Sequence, residues 1–115
     1  MENEDLVTVF KSELRSRFVK GFLDVLILQL VEVKPLWGYE IIKRTMSTYE
    51  VKLRHGALYP MLKSLEEKGL LRSKKELHKG RSRKIYEITP CGKQLLDTYY
   101  GFIGDQLPHA SSRKN

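Results

Sequence analysis

The chain has 115 residues and one cysteine, Cys91, with 21 lysines and arginines against 14 aspartates and glutamates, for a formal charge of +7. This length supports one modest core and no second module, the lone cysteine excludes an internal disulfide and suits a reducing compartment, and the positive balance points to an anionic partner. The longest apolar run, Val25 to Val31, is interrupted by Gln29 and falls short of the roughly 20 residues of a bilayer span; the acidic start Met1-Glu2-Asn3-Glu4-Asp5 is unlike a signal peptide, so the chain reads as cytoplasmic, with no membrane partner.

Leu6, Phe10, Leu14 and Phe18 fall four apart and draw an apolar stripe along a first helix of about four turns. Asn3 or Asp5 is its expected cap. The other side mixes Glu13 with Lys11, Arg15 and Arg17 instead of being uniformly basic, which favours packing on protein over lying on a membrane. Gly21 interrupts the pattern. Phe22, Leu23, Val25, Leu26, Ile27, Leu28, Leu30 and Val31 then form a helix apolar nearly all round, as a buried central helix must be, and Pro35 ends it.

A third helix opens at Trp37-Gly38-Tyr39-Glu40, with Tyr39, Ile42 and Met46 on its expected inner side, and breaks around Thr48 and Tyr49. Leu58, Met61, Leu62 and Leu65 recur at helical spacing in a fourth, which begins near Arg54 or His55 and stops at Gly69 as a C-terminal cap. Its outward side carries Arg54, His55, Tyr59 and Lys63. Pro60 lies inside this helix, where its missing N–H ordinarily costs about 3 kcal/mol; just beyond the first turn the loss is smaller, and the ring is either a tolerated kink or a means of aiming Tyr59 and Lys63 at a groove.

After Gly69 the period shortens to that of strands. Leu71 and Leu77 lie on one run, the β-formers Ile85, Tyr86 and Ile88 on the next, and Gly80 at the turn between them. Thr89 with Pro90 is a hydroxyl N-cap followed by proline at the first helical position. The fifth helix it opens carries Leu95, Leu96, Tyr99, Phe102, Ile103 and Leu107 at spacings of three and four, a stripe that either folds back on the core or, being rich in aromatics and following the compact domain, meets a second copy. From Pro108 onward, with Ser111, Ser112 and Arg113, a disordered tail is expected.

Helix, turn, helix, then a hairpin with a glycine tip is the outline of a winged helix, so the fold class is mainly α with a small β-hairpin, flanked by N- and C-terminal helices. Arg72, Lys74, Lys75, Lys79, Arg81, Arg83 and Lys84 load the hairpin, opposed only by Glu76. A basic cluster is usually a solvated face, but beside a helix bearing Arg54, His55, Tyr59 and Lys63 it favours nucleic acid. Double-stranded DNA is the expected partner, with residues 54–68 in the major groove and 79–84 over phosphate or minor groove. Tyr39 is assigned to the same contacting set. The rival from another class, a winged helix serving only protein interaction, predicts a neutral or acidic wing. No enzyme is expected: His55, His78 and His109 are scattered and approach no metal-ligand spacing with Cys91 or a carboxylate, and no phosphate loop, paired-carboxylate motif or nucleophile elbow occurs. Cofactors and metals are accordingly expected to be none. Cys91 near a helix start has the setting of a low-pKa thiol, though a half-buried small residue is the plainer reading.

Gly21-Phe22-Leu23-Asp24-Val25-Leu26-Ile27-Leu28, Trp37-Gly38-Tyr39-Glu40-Ile41, Gly56-Ala57-Leu58-Tyr59-Pro60-Met61-Leu62-Lys63-Ser64-Leu65-Glu66 with Gly69-Leu70-Leu71, and Gly80-Arg81-Ser82-Arg83-Lys84-Ile85-Tyr86 with Thr89-Pro90-Cys91-Gly92 together resemble the PadR family of transcriptional regulators. The resemblance covers about Gly21 to Leu96. Trp37 departs from it, standing where the family often has histidine, as do Arg54 and His55, which stand where small hydroxyl residues are common. It implies a dimeric winged-helix repressor on a palindromic operator, joined through a single C-terminal helix. Leu95, Leu96, Tyr99, Phe102 and Ile103 are then the seam, with Phe10 and Leu14 of the first helix reaching across. It also implies a small planar or aromatic effector at the dimer interface, with Tyr99, Tyr100 and Phe102 as candidates to line its space. The chain divides on this reading into residues 1–18, an N-terminal flanking helix; 19–89, the DNA-binding domain; 90–107, the dimerisation helix; and 108–115, the tail.

Overall fold

The computed structural model describes residues 2–110, in the order α1 (Asn3–Gly21), α2 (Leu23–Val33), β1 (Leu36–Trp37), α3 (Gly38–Tyr49), α4 (His55–Glu67), β2 (Leu71–His78), β3 (Arg81–Ile88) and α5 (Pro90–Gln106). This is a winged helix, mainly helical with a small antiparallel sheet. Of the expected tail, Ser111, Ser112 and Arg113 lie outside the described residues, and 108–110 form a turn after α5.

Helix α2 is the centre of the core, as its all-round apolarity requires: Leu26, Ile27 and Leu28 are fully buried. Helices α4 and α5 and strand β3 pack on it, through Leu58, Leu62, Leu96 and Ile88. Helix α1 runs 19 residues, longer than the four turns its stripe suggested, and neither Asn3 nor Asp5 caps it: Glu2 holds that position without a side-chain hydrogen bond. Only its last turns reach the body, where Val19 is buried and Phe18 stacks on Phe22 and lies 5.4 Å from the Tyr49 ring. Arg15 adds an ion pair to Glu50 at 3.0 Å.

Helix α3 presents a different inner side from the one its apolar spacing suggested. Gly38, Ile41 and Thr45 are buried, whereas Tyr39 and Met46 are exposed. Thr45 disguised the stripe because threonine counts as polar, yet its hydroxyl donates to the Ile41 carbonyl oxygen at 2.8 Å, which satisfies it inside the core. Helix α4 stops as its glycine indicates. Gly69 takes φ +76°, Leu70 N–H bonds the Leu65 carbonyl and Gly69 N–H that of Glu66, the paired bonds of a Schellman motif.

Strands β2 and β3 form one hairpin from Leu71↔Ile88 to His78↔Arg81. Its two-residue loop, Lys79 at φ +52° and Gly80 at φ +79°, has the positive angles of a type I′ turn, whose twist matches that of the strands. Strand β1, too short to have a sequence period, pairs Leu36↔Tyr86 and Trp37↔Ile85 on the other side of β3. Leu71 is buried, but Leu77, on the same run, is 81% exposed because the hairpin has by then left the body.

Candidate nucleic-acid interface

Helix α4 and the wing enclose an open groove of about 670 Å³. Leu58, Leu62 and Leu65 anchor α4 in the core, so Arg54 at the N-cap and His55, Tyr59 and Lys63 on the helix all emerge on its exposed side. The His55 and Tyr59 rings, one turn apart, stack at 5.5 Å and 6° between planes. Tyr59 lies across Gly38, where an added Cβ would sit 2.8 Å from Cζ of the ring. Glycine at the start of α3 thus sets how deep that ring can sit. Pro60 is accommodated within an unbroken α4.

The wing supplies the opposite wall through Arg81, Arg83 and Lys84. Arg81, Lys84 and the turn residue Lys79 are exposed, but Arg83 is half-buried, its guanidinium 3.5 Å from the centre of the Trp37 ring. Trp37 faces the same side of the sheet as Arg83 because its partner Ile85 lies two residues further along β3. The Trp37 ring also meets Tyr39 at 5.3 Å and His78 at 6.1 Å, and Lys43 stands over Tyr39 at 5.4 Å. Trp37 also holds the N-cap position of α3, where its backbone N–H donates to Glu40 Oε1 at 3.2 Å.

Glu66, near the end of α4, is the acid lining this groove. One carboxylate oxygen lies 3.7 Å from Lys84 Nζ on β3, and the other accepts from the Ser73 hydroxyl on β2. Burial, then the Glu66 carboxylate, then Tyr59 push the Tyr86 phenol above its ordinary 10.0. Each of these contacts favours keeping the groove's walls at a fixed separation.

Of the nine residues expected to contact DNA, Tyr59, Lys63, Arg81, Arg83 and Lys84 line this groove; His55 stacks on Tyr59, Tyr39 lies beside Trp37, Lys79 is exposed at the turn of the wing, and Arg54 lines a separate hollow with Arg15, Lys20 and Glu50. Trp37, Gly38 and Glu66 belong with them and were not expected. Their roles come from register and packing; the one sequence-level signal was that Trp37 is the chain's single tryptophan, next to a glycine.

The expected dimer seam divides in two. Leu96 is fully buried in the protomer's own core, Leu95 and Tyr99 pack partly against that core, and the Tyr99 hydroxyl donates to Asp24 Oδ2 at 2.9 Å. Leu96 is thereby withdrawn from the seam, since a side chain with no exposed surface has none to give a partner. Phe102 is 61% exposed, Ile103 half-buried, and Tyr100 and Leu107 exposed. Phe10 and Leu14 on α1 are each 56% exposed. The hydrogen bond to Asp24, then burial, then the carboxylate's charge hold the Tyr99 phenol above 10.0.

Cys91 is exposed, not half-buried as its plainer reading has it, in the first turn of α5, whose Thr89 cap accepts from Gly92 N–H at 3.0 Å and donates to the Gly69 carbonyl. Among the described residues no histidine, cysteine and carboxylate group gathers to hold a metal, and no helix is long and apolar enough to cross a membrane.

Residues 27–98 match the profile of the transcriptional regulator PadR-like family. The fold is similar to that of a PadR family transcription regulator from hypervirulent Clostridium difficile R20291, 32% identical, with a TM-score of 0.66 over 76% of this chain and 96% of that one. It is similar also to Bacillus subtilis PadR, solved in complex with operator DNA, at 27% identity and a TM-score of 0.65, covering 69% of this chain and 45% of that one. In sequence, the transcriptional regulator Rv3488 of Mycobacterium tuberculosis is 35% identical over 65 residues, 56% of this chain and 57% of that protein.

Proposed function

Because the chain belongs to the PadR-like family of transcriptional regulators, we propose that it is a dimeric repressor that binds a palindromic DNA operator, with α4 in the major groove and the wing along the flanking backbone. One observation carries this reading: the cations and aromatic rings of α4 and of the wing meet around a single groove, although more than a dozen residues separate them in the chain. The related Bacillus subtilis PadR was solved in complex with operator DNA, and the groove between α4 and the wing is the face this chain would present to a duplex. Arg54 and His55 at the start of α4 are the candidate base readers, while Lys79, Arg81 and Arg83 supply phosphate contacts that carry no sequence information.

One winged helix makes few base contacts, so a second copy related by a two-fold axis is needed for a specific site, with half-sites about 34 Å apart or a multiple of it. The C-terminal half of α5, through Phe102 and Ile103, with Phe10 and Leu14 of α1, is the proposed seam. A planar aromatic effector held near Tyr99, Tyr100 and Phe102 would act by shifting the spacing of the two α4 helices. Selection of genomic fragments by the purified protein, followed by sequencing, tests the proposal. An enriched inverted repeat is expected; fragments retained without any common motif would reject sequence-specific binding, and none retained would leave the protein-interaction reading.

A further inference from the structure

Lys84 is the cation of the groove that an acid of the protein already engages. Its ammonium lies 3.7 Å from Glu66 Oε1, and Glu66 is held in place from its other oxygen by the Ser73 hydroxyl. The side chains of Lys84 and Glu66 are 52% and 32% exposed, so the pair opens on the groove where a phosphate would pass. Arg81 at the wing's tip is exposed and among the described residues has no such acid on it, and Arg83 is stacked on Trp37.

We propose that Glu66 is a specificity-determining residue, which keeps Lys84 off phosphate unless base contacts by α4 seat the duplex in the groove. This rests on the DNA-binding reading above and deepens it. The argument is one of exchange. A phosphate that takes Lys84 must separate it from Glu66 and then lie beside an uncompensated carboxylate. On random sequence the duplex is held loosely by charge alone and has many registers in which to avoid that exchange. On a specific site the bases fix the register, and the backbone is brought against Lys84 by contacts made elsewhere. Glu66 thus makes one phosphate contact conditional on the others, and it lowers non-specific affinity without taking any part in reading bases. Because Ser73 on β2 holds the same carboxylate, Glu66 is also the positioning residue that ties α4 to both strands of the wing.

The test is Glu66→Gln, whose amide oxygen still accepts from Ser73, so the tie to β2 stays while the charge goes. Binding to a random-sequence duplex and to the most enriched genomic fragment is titrated over a range of salt. On the random duplex the log–log salt slope is expected to steepen by about 0.9, one further phosphate neutralised, and affinity to rise severalfold. On the enriched fragment the slope stays as in the wild type, so the ratio of specific to random affinity falls. In a Lys84→Gln background the same substitution should leave the random-duplex slope unchanged. An unaltered slope in Glu66→Gln overturns the inference while DNA binding stands, and an equal steepening without Lys84 overturns it as well, since the effect would then be one of net charge. A wild-type protein that retains no duplex at all overturns the DNA reading and this inference with it.

Discussion

Leu96 and Phe102 lie on the same helix six residues apart, about 240° round it at 3.6 residues per turn, and their substitutions should fail in opposite ways. Leu96 is fully buried against α2 inside one protomer. Leu96→Ala removes a core side chain and leaves a cavity, a loss of about 2–5 kcal/mol. For a domain near this size about 4 °C accompanies each kcal/mol, so the melting temperature should fall by roughly 8–20 °C at every protein concentration. Phe102, 61% exposed in the protomer, contributes little to that core. Phe102→Glu should leave the protomer folded but place an unpaired charge in the proposed seam, at a cost of several kcal/mol. At about 1.4 kcal/mol per tenfold, the dimer should weaken on the order of 100-fold or more. Sedimentation, with thermal unfolding at two protein concentrations, separates the outcomes: the first variant is expected to be a less stable dimer, the second a folded monomer whose operator binding is lost with the linkage between half-sites. If Leu96→Ala became monomeric with its melting temperature intact, or if Phe102→Glu kept the wild-type mass, the division of α5 into a core half and a seam half would be refuted.

On the wing, Arg81→Ala should lower the salt slope of DNA binding by about 0.9 without moving the melting temperature; Arg83→Ala should lower both, because its stacking on Trp37 is worth about 0.5–1 kcal/mol. Arg54→Ala is expected to reduce discrimination for the operator by about 1–3 kcal/mol more than it reduces affinity for random DNA, and equal losses in parallel titrations would make Arg54 a phosphate anchor instead. Gly92→Ala would bring a Cβ against the Leu70 carbonyl and within 2.7 Å of Ile88 Cγ1, and chemical denaturation should report about 1–3 kcal/mol of overpacking. The raised phenol of Tyr99 contributes stability that is complete below its ordinary 10.0 and is lost as pH climbs through the higher folded value. Tyr99→Phe should therefore cost about 1 kcal/mol at neutral pH and show a shallower alkaline loss, measured as denaturation midpoints from pH 7 to 11.

The helices were legible because their signals are local. All-round apolarity in α2, the Gly69 stop of α4 and the Thr89-Pro90 start of α5 each involve residues within a turn or two of one another, and each stands in the structure. The basic residues of α4 and the wing were legible for the same reason: charge is a property of composition, and their spacing places them outside the core. What was misread depended on partners remote in the chain. Met46 and Tyr39 looked like an inner face because apolar spacing cannot tell which of two adjacent stripes meets a neighbour, and Thr45 hid the true one. Leu95, Leu96 and Tyr99 share a period with Phe102 and Ile103, yet α2 covers only the first part of α5.

The sequence by itself determined the winged-helix order of elements, the hairpin turn at Gly80, the buried central helix and the cations available to a polyanion, because periodicity, caps and charge act over a few residues. Tertiary structure alone decided that β1 joins the sheet, that Trp37 carries Arg83, that Tyr59 rests on Gly38 and that Glu66 faces Lys84. Those four contacts join segments at least 18 residues apart in the chain, and a pairing at that distance is chosen by the closing of the whole core, for which no local pattern stands in.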